Sequence, residues 1–380
     1  MAEATICQNG VLYRAGNLIY RHANRADDKA LNQLLRDNPM RGWLTLSLER
    51  KPTYFASENL IGKSRTIIAL DASKDEQIVG MYRVAFMPMF VNGKHIQVGY
   101  LGELRVNKAY RNSLRILKYG FDSIHPLNQL ESADTSVWFT SIASDNYSAR
   151  RLLEAKNRSL PCYTPVGELL TLAISVRHSK QPMLLQPATK DDIPAICELH
   201  NRQMAKYNFA TYLDPNWLCS LSATKGLGIE DFWVYKLGQG IQACIAIWDQ
   251  RSFKQVVVQG YRFPLDRLRP LYNLGAYLLG KPLLPKKGSQ LESVYLSFFS
   301  ISPEAEKHAV NILQEALYIS GLKKAKTGLL GLSDCDPLIP ALRAALNPVV
   351  YKTCIETVDW ANRKSAPLNP APPQPEIAIL

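Results

Sequence analysis

The stretch Val98-Gly-Tyr-Leu-Gly-Glu-Leu-Arg-Val106, running on into Asn-Lys-Ala-Tyr-Arg-Asn-Ser-Leu-Arg115, narrows the folds open to this chain more than any other segment. An apolar, β-prone run carries one acid, Glu103, and then turns into a basic helix start. Such a run belongs inside a sheet. The helix after it aims its free amide N–H groups at the end of the same strand. A carboxylate at the centre of a sheet therefore sits beside an edge that receives anions. Transfer of a group from a phosphate-bearing carrier to a nucleophile that must lose a proton needs both.

The 380 residues exceed one ordinary core and fit two domains. The longest uncharged apolar segments fall short of the roughly 18–20 residues that cross a bilayer. The N-terminus lacks the basic start and long apolar stretch of a secretory signal. Seven cysteines at irregular spacing, none in a metal-knuckle pair, read as reduced core thiols. The six histidines form no ligand spacing, so no metal is expected. A cytoplasmic protein without a membrane partner, a monomer or a homodimer, is the expectation. The net charge of +12 gathers in part on Arg105, Lys108, Arg111, Arg115 and Lys118, with Arg150, Arg151, Lys156 and Arg158 further on. Basic clusters serve nucleic acid, anionic membrane or a phosphorylated small ligand. With no helix-turn-helix spacing, zinc pattern or paired aromatic RNA motif, the phosphorylated ligand is preferred over nucleic acid.

Along the chain the first half reads as a strand near 17–22, a helix capped by Asp27 or Asp28 with Leu31, Leu34 and Leu35 on one face, and an aperiodic link over 39–59. Strands follow at 65–70, 77–87 and 95–106, then a helix over 112–124, a strand at 136–141, a helix over 146–156 and a strand at 169–175. The second half repeats that order. It has a capped helix after Thr189, strands at 232–237, 241–248 and 254–262, a Pro- and Gly-containing excursion over 264–290 with a short apolar helix, and a strand at 293–300. A helix, a strand, a helix and a last strand at 350–358 close it. The expected fold is α/β in the α+β sense: a mixed, mostly antiparallel sheet flanked by helices, in two copies. The units are residues 14–178 and 183–360, and the proline-rich 361–380 is expected to be a disordered tail.

With its acid-bearing strand, basic helix start and the later Asp145-Asn146-Tyr-Ser-Ala149-Arg-Arg-Leu152, the chain resembles the GCN5-related N-acetyltransferase superfamily as a tandem, bacterial-type pair. The resemblance covers residues 14–178 and, more weakly, 183–360. It implies acetyl-CoA or another acyl-CoA as donor, with no metal. Leu104, Arg105 and Val106 would hold the pantetheine arm; Arg111, Asn112, Ser113, Leu114 and Arg115 would receive the pyrophosphate; Asn146 would contact the cofactor. The segment from Pro39 to Pro52 looks like the acceptor side, giving Trp43, Glu49 and Arg50, with Tyr82 as a further lining residue. Two departures stand out. The phosphate loop reads Arg111-Asn-Ser-Leu114-Arg-Ile116 without the family's glycines, and the usual general-acid Tyr position is Leu153. In the second copy, 295–300 holds no acid, and Ser302-Pro-Glu304-Ala-Glu306 replaces the basic loop, so that copy is expected to be degenerate.

Glu103 is the expected general base, accepting the proton of an amine that attacks a thioester, and Tyr147 is the nearby candidate acid. The expected reaction is acyl transfer, acetyl foremost, from CoA to an amine on a small molecule or peptide, by direct attack. Two alternatives stay open: a non-catalytic module that binds CoA or acyl-CoA, and a transferase for longer acyl chains.

Overall fold

The computed structural model describes residues 10–40, 42–111, 113–131, 135–155, 159–221, 226–238, 240–361 and 364–380. Asn112, Lys156 and Arg158 lie outside the described residues. The first half comprises β1 (Val11–Ala15), β2 (Leu18–His22), α1 (Asp28–Asp37), β3 (Leu44–Glu49), β4 (Lys63–Asp71), β5 (Gln77–Val91) and β6 (Lys94–Val106). It continues with α2 (Leu114–Asp122), α3 (Ile124–Leu130), β7 (Val137–Ala143), α4 (Tyr147–Leu153) and β8 (Cys162–Ser175). The second half opens with β9 (Leu185–Pro187), α5 (Ile193–Met204), β10 (Ala210–Thr211), α6 (Pro215–Cys219), β11 (Phe232–Leu237), β12 (Gly240–Trp248) and β13 (Gln255–Tyr261). It ends with α7 (Leu265–Leu278), β14 (Ser293–Ile301), α8 (Ala309–Leu322), β15 (Thr327–Ser333), α9 (Ile339–Leu346) and β16 (Val349–Asp359).

Local chemistry sets these elements. Before α1, Asn24 accepts from the Ala26 N–H and Asp27 accepts from the Asn24 N–H, a capping box that starts the turn feeding Leu31, Leu34 and Leu35 into the core. One sheet runs β1-β2-β4-β5-β6-β7-β16-β8-β15-β14-β12-β11-β9, with β10 on β5, while β3 and β13 form a separate ribbon. The parallel neighbours are β6–β7 and β14–β15, the pairs joined by helical crossovers, as parallel strands require. Gly99 faces Trp138 across β6–β7. A Cβ at position 99 would lie 2.3 Å from that buried ring, so the close approach needs glycine. On the covered face α2 and α3 bury Ile116, Leu117, Phe121 and Leu127, and α8 and α9 bury Ile312, Leu313, Leu317 and Leu342 in the other half.

The halves are exchanged at their ends. β16 lies between β7 and β8, and β8 lies between β16 and β15, so each half closes its sheet with the other's last strand. The link over 39–59, aperiodic as sequence, contains β3, which pairs with β13 from the second half. Within that link Leu44, Leu46 and Leu48 alternate with Thr45, Ser47 and Glu49, a two-residue period too short to stand out from the irregular residues on either side.

β6 and β14 carry the same irregularity. Gly102 pairs with Arg83 and Arg105 with Met81, leaving Glu103 and Leu104 opposite Tyr82, and Glu103 takes a φ of 53°. In β14, Phe298 and Phe299 stand opposite Ile245, and Phe298 also has a φ of 53°. A left-handed non-glycine residue costs about 1–3 kcal/mol, so its recurrence at the same place in both halves marks the bulge as part of the repeat. Near each bulge the sheet splits: β6 pairs with β7 only over Val98–Leu101, and β14 with β15 only over Ser293–Tyr295.

The tail corrects the expectation of disorder. Asn208 N–H donates to the Pro372 carbonyl at 2.9 Å, Ser333 N–H to Gln374 Oε1 at 2.9 Å, and Gln250 Nε2 to the Ala378 carbonyl at 2.9 Å; Ile377 and Ala378 are buried. Proline composition misleads here because prolines bring no N–H that needs a partner. The body supplies partners for the rest, and the apolar end fills a gap.

Candidate functional site

The first split opens at Glu103. Its Oε1 accepts from Arg50 Nη2 and lies 3.6 Å from Arg83 Nη1, and its Oε2 accepts from the Tyr54 hydroxyl at 3.0 Å. Arg50 is almost fully buried, with its guanidinium 5.1 Å from the Tyr54 ring centroid. Burial, opposed mainly by Tyr54, draws its pKa down to about 10. Sequence reading placed Arg50 at the acceptor side without foreseeing that it would grip Glu103. It missed Tyr54, Arg83 and Lys254; a lone cation in the apolar run around Arg83 was the available signal.

Glu103 lines a cavity of about 1660 Å³ that runs from the first half into the second. Leu104, Arg105, Val106, Asn146, Trp43 and Tyr82 line it too. One lobe lies under α2 and is apolar, walled by Tyr20, Ile116, Leu117, Phe121, Leu153 and Tyr163. Thr140 Oγ1 donates to the Leu101 carbonyl at 2.7 Å, the last tie before β6 and β7 part. Asn146 caps α4, accepting from the Ala149 N–H at 3.3 Å.

Other expected residues fall elsewhere. Tyr147 is 73% exposed and does not line the cavity, so the structure does not bring it to Glu103. Leu153 is a buried wall residue instead. Glu49 pairs with Lys51 at 3.2 Å, off the cavity. The Tyr82 hydroxyl is 2.5 Å from Ser123 Oγ, and burial raises its pKa far above the ordinary tyrosine value, which suits packing rather than proton transfer. Arg111 is exposed at the approach to α2 and donates to Asn38 Oδ1 at 2.6 Å; Ser113 precedes the helix, and Leu114 and Arg115 are exposed on its first turn. None of Arg111, Ser113, Leu114 and Arg115 lines the cavity, whose wall on α2 begins at Ile116.

Lys254, just ahead of β13, also lines the cavity, its Nζ 5.5 Å from the Tyr295 ring centroid and 3.3 Å from the Leu380 main-chain oxygen. Burial first, and Arg50 and Arg83 after it, push its ammonium down to about 7. A lysine with a depressed folded pKa binds its proton less well folded than unfolded. Between about pH 7 and its ordinary 10.5 the unfolded chain therefore holds more protons, and stability rises with pH. Lys254→Met should flatten the rise in melting temperature across that window. A pH series with an unchanged slope would assign the rise to other groups.

The second split is filled. The tail crosses it, and the Glu376 carboxylate accepts from the Phe298 N–H at 2.9 Å and from Ser297 Oγ at 3.2 Å. Burial raises the Glu376 pKa. Among the described residues no cluster of potential metal ligands occurs.

No family model matches the sequence, and no curated protein matches it. Solved structures do. The chain is similar to N-myristoyltransferase of Saccharomyces cerevisiae with bound myristoyl-CoA, at a TM-score of 0.60 and 12% identity over 97% of this chain and 85% of that one. It is similar to a GCN5-related N-acetyltransferase from Sphaerobacter thermophilus, at a TM-score of 0.55 and 11% identity over 93% of this chain and 98% of that one. With its split, bulged sheet in two copies, the chain shares its fold with these two proteins.

Proposed function

We propose that the protein transfers an acyl group from acyl-CoA to an amine, using the split at Glu103. The observation that carries this reading is the bulge itself, which opens the sheet beside an acid, a large cavity and a basic helix start. The thioester lies along the edge of β6 beyond Leu101, where amide groups no longer pair with β7 and can face the developing oxyanion. The amine nitrogen attacks the carbonyl carbon, Glu103 accepts the ammonium proton directly or through water, and the C–S bond breaks to release CoA, protonated by solvent. The tail in the second split supports a single donor site.

A longer acyl chain is the second reading, favoured over acetyl by the apolar lobe under α2. Its cavity exceeds the roughly 300–1,000 Å³ usual for small-ligand sites, and the similar yeast structure holds myristoyl-CoA.

Arg111→Ala should weaken CoA binding by about 1–3 kcal/mol, the value of a charge-assisted contact, and melting temperature reads separately the stability lost with its hydrogen bond to the buried Asn38. Calorimetry should give one CoA per chain for the parent. A comparison with phosphate-free pantetheine isolates the phosphate contribution. Parent-like binding of both ligands by the variant would remove Arg111 from the site, and two CoA per chain would overturn the single-site reading.

A further inference from the structure

The excursion over 264–290 folds as α7 and a loop that returns past Lys281 to Gln290. One face of α7 is anchored. Asn273 and Leu284 exchange two hydrogen bonds of 2.8 and 3.0 Å, and Arg177 donates to the Tyr277 carbonyl at 2.6 Å while stacking 4.0 Å from its ring. His178 meets the Gly280 carbonyl, and Asn347 the Leu279 carbonyl, each at 2.9 Å. Ala276 is buried below.

The opposite face has no cover. Leu271, Leu274 and Leu278 are 67%, 61% and 76% exposed, and Phe263 at the helix entrance is 71% exposed. An apolar stripe of this size on a folded body calls for a partner. The chain on either side of it carries the charge: Arg262, Arg267, Lys281, Lys286 and Lys287 border it in sequence, with Asp266 as the one acid between positions 262 and 288. At 14 residues α7 spans about 21 Å, too short to cross a bilayer but suited to lying in its interface. Among the described residues no helix is long and apolar enough to cross a membrane.

The geometry points to α7 as a dock on an anionic lipid surface, its leucines in the acyl boundary and its basic rim on the headgroups. The cavity adds a reason for such a dock. Asn273, Lys281, Leu283, Leu284 and Lys286, on α7 and its return loop, also line the cavity, so docking brings one wall of the cavity close to the lipid. The sequence expectation of no membrane partner weighed spanning segments and the basic clusters near α2 and α4, and left this stripe out.

Flotation of the full chain with phosphatidylcholine vesicles, with and without phosphatidylglycerol, tests the dock. The protein should float with the anionic vesicles, less so as salt rises. The triple variant Leu271→Asp, Leu274→Asp, Leu278→Asp should lose at least about tenfold in partitioning. All three positions point outward, so an unchanged melting temperature verifies the fold. Independently, hydrogen exchange of the unmodified protein should show protection at 263–284 on adding anionic vesicles. No flotation, or flotation without protection there, overturns the dock. A dimer in sedimentation that the triple variant dissociates assigns the stripe to a second copy and also overturns it.

Discussion

Glu103→Gln is expected to lower acyl transfer to an amine by roughly 10²–10⁴-fold, the usual loss for a general base, while acyl-CoA still binds. The substitution also has a structural cost. Arg50 is almost fully buried and holds the Glu103 carboxylate together with Tyr54. The amide keeps one acceptor oxygen, for Arg50 or for Tyr54, sets an N–H donor in place of the other and cancels the charge, so stability should fall by up to about 3 kcal/mol. Rates are therefore read well below the melting transition. If Glu103 takes the proton, the acidic limb of the rate profile disappears or moves in the variant. If it only fixes Arg50 and Arg83, the limb stays and KM rises while kcat holds. Parent-like turnover under chemistry-limited conditions would remove Glu103 from the mechanism, and inactivity of the parent across amine and acyl-CoA panels would favour a binding module.

That coupling between base and anchor was only half legible in the sequence. The acid in an apolar strand, the helix after it and the cap at Asn146 follow from local patterns, and the structure places all three on one cavity. The grip of Arg50 on Glu103 depends on the bulge, where one extra residue re-aims the side chains that strict alternation assigns. The approach of Lys254 depends on the ribbon between β3 and β13, strands some 200 positions apart whose pairing no local pattern encodes. The exchange of β8 and β16 is hidden for the same reason: β16 reaches β7 and β8 from the far end of the chain. Composition misread the tail because proline content predicts poor self-pairing, whereas Glu376 and Gln374 are held by β14 and β15.

Gly120→Leu should change which acyl chain the protein accepts. Gly120 sits in α2 on the wall of the apolar lobe, where a Cβ would meet the rings of Tyr20 and Tyr82 at 3.6 and 3.9 Å. Those are ordinary contacts, so the Cβ fits and the outer carbons of leucine extend into the lobe. Each methylene displaced from an apolar pocket is worth about 1–3 kcal/mol. The loss of room for two or more should lower kcat/KM for long-chain acyl-CoA by roughly 10²-fold or further. A two-carbon acyl group on a thioester held at the edge of β6 does not need the lobe, so turnover of acetyl-CoA should hold. Leucine is also the better helix former by up to about 1 kcal/mol, which offsets part of the about 1–3 kcal/mol that crowding in a packed region costs; melting temperature reads the balance. The ratio of the two donors separates the outcomes. A selective loss of the long chain places its tail under α2 and makes α2 the ruler of chain length. An equal loss of both would place the effect on the fold or on CoA, and an unchanged long-chain rate would send the chain toward the other end of the cavity, where Lys254 and Tyr295 line it.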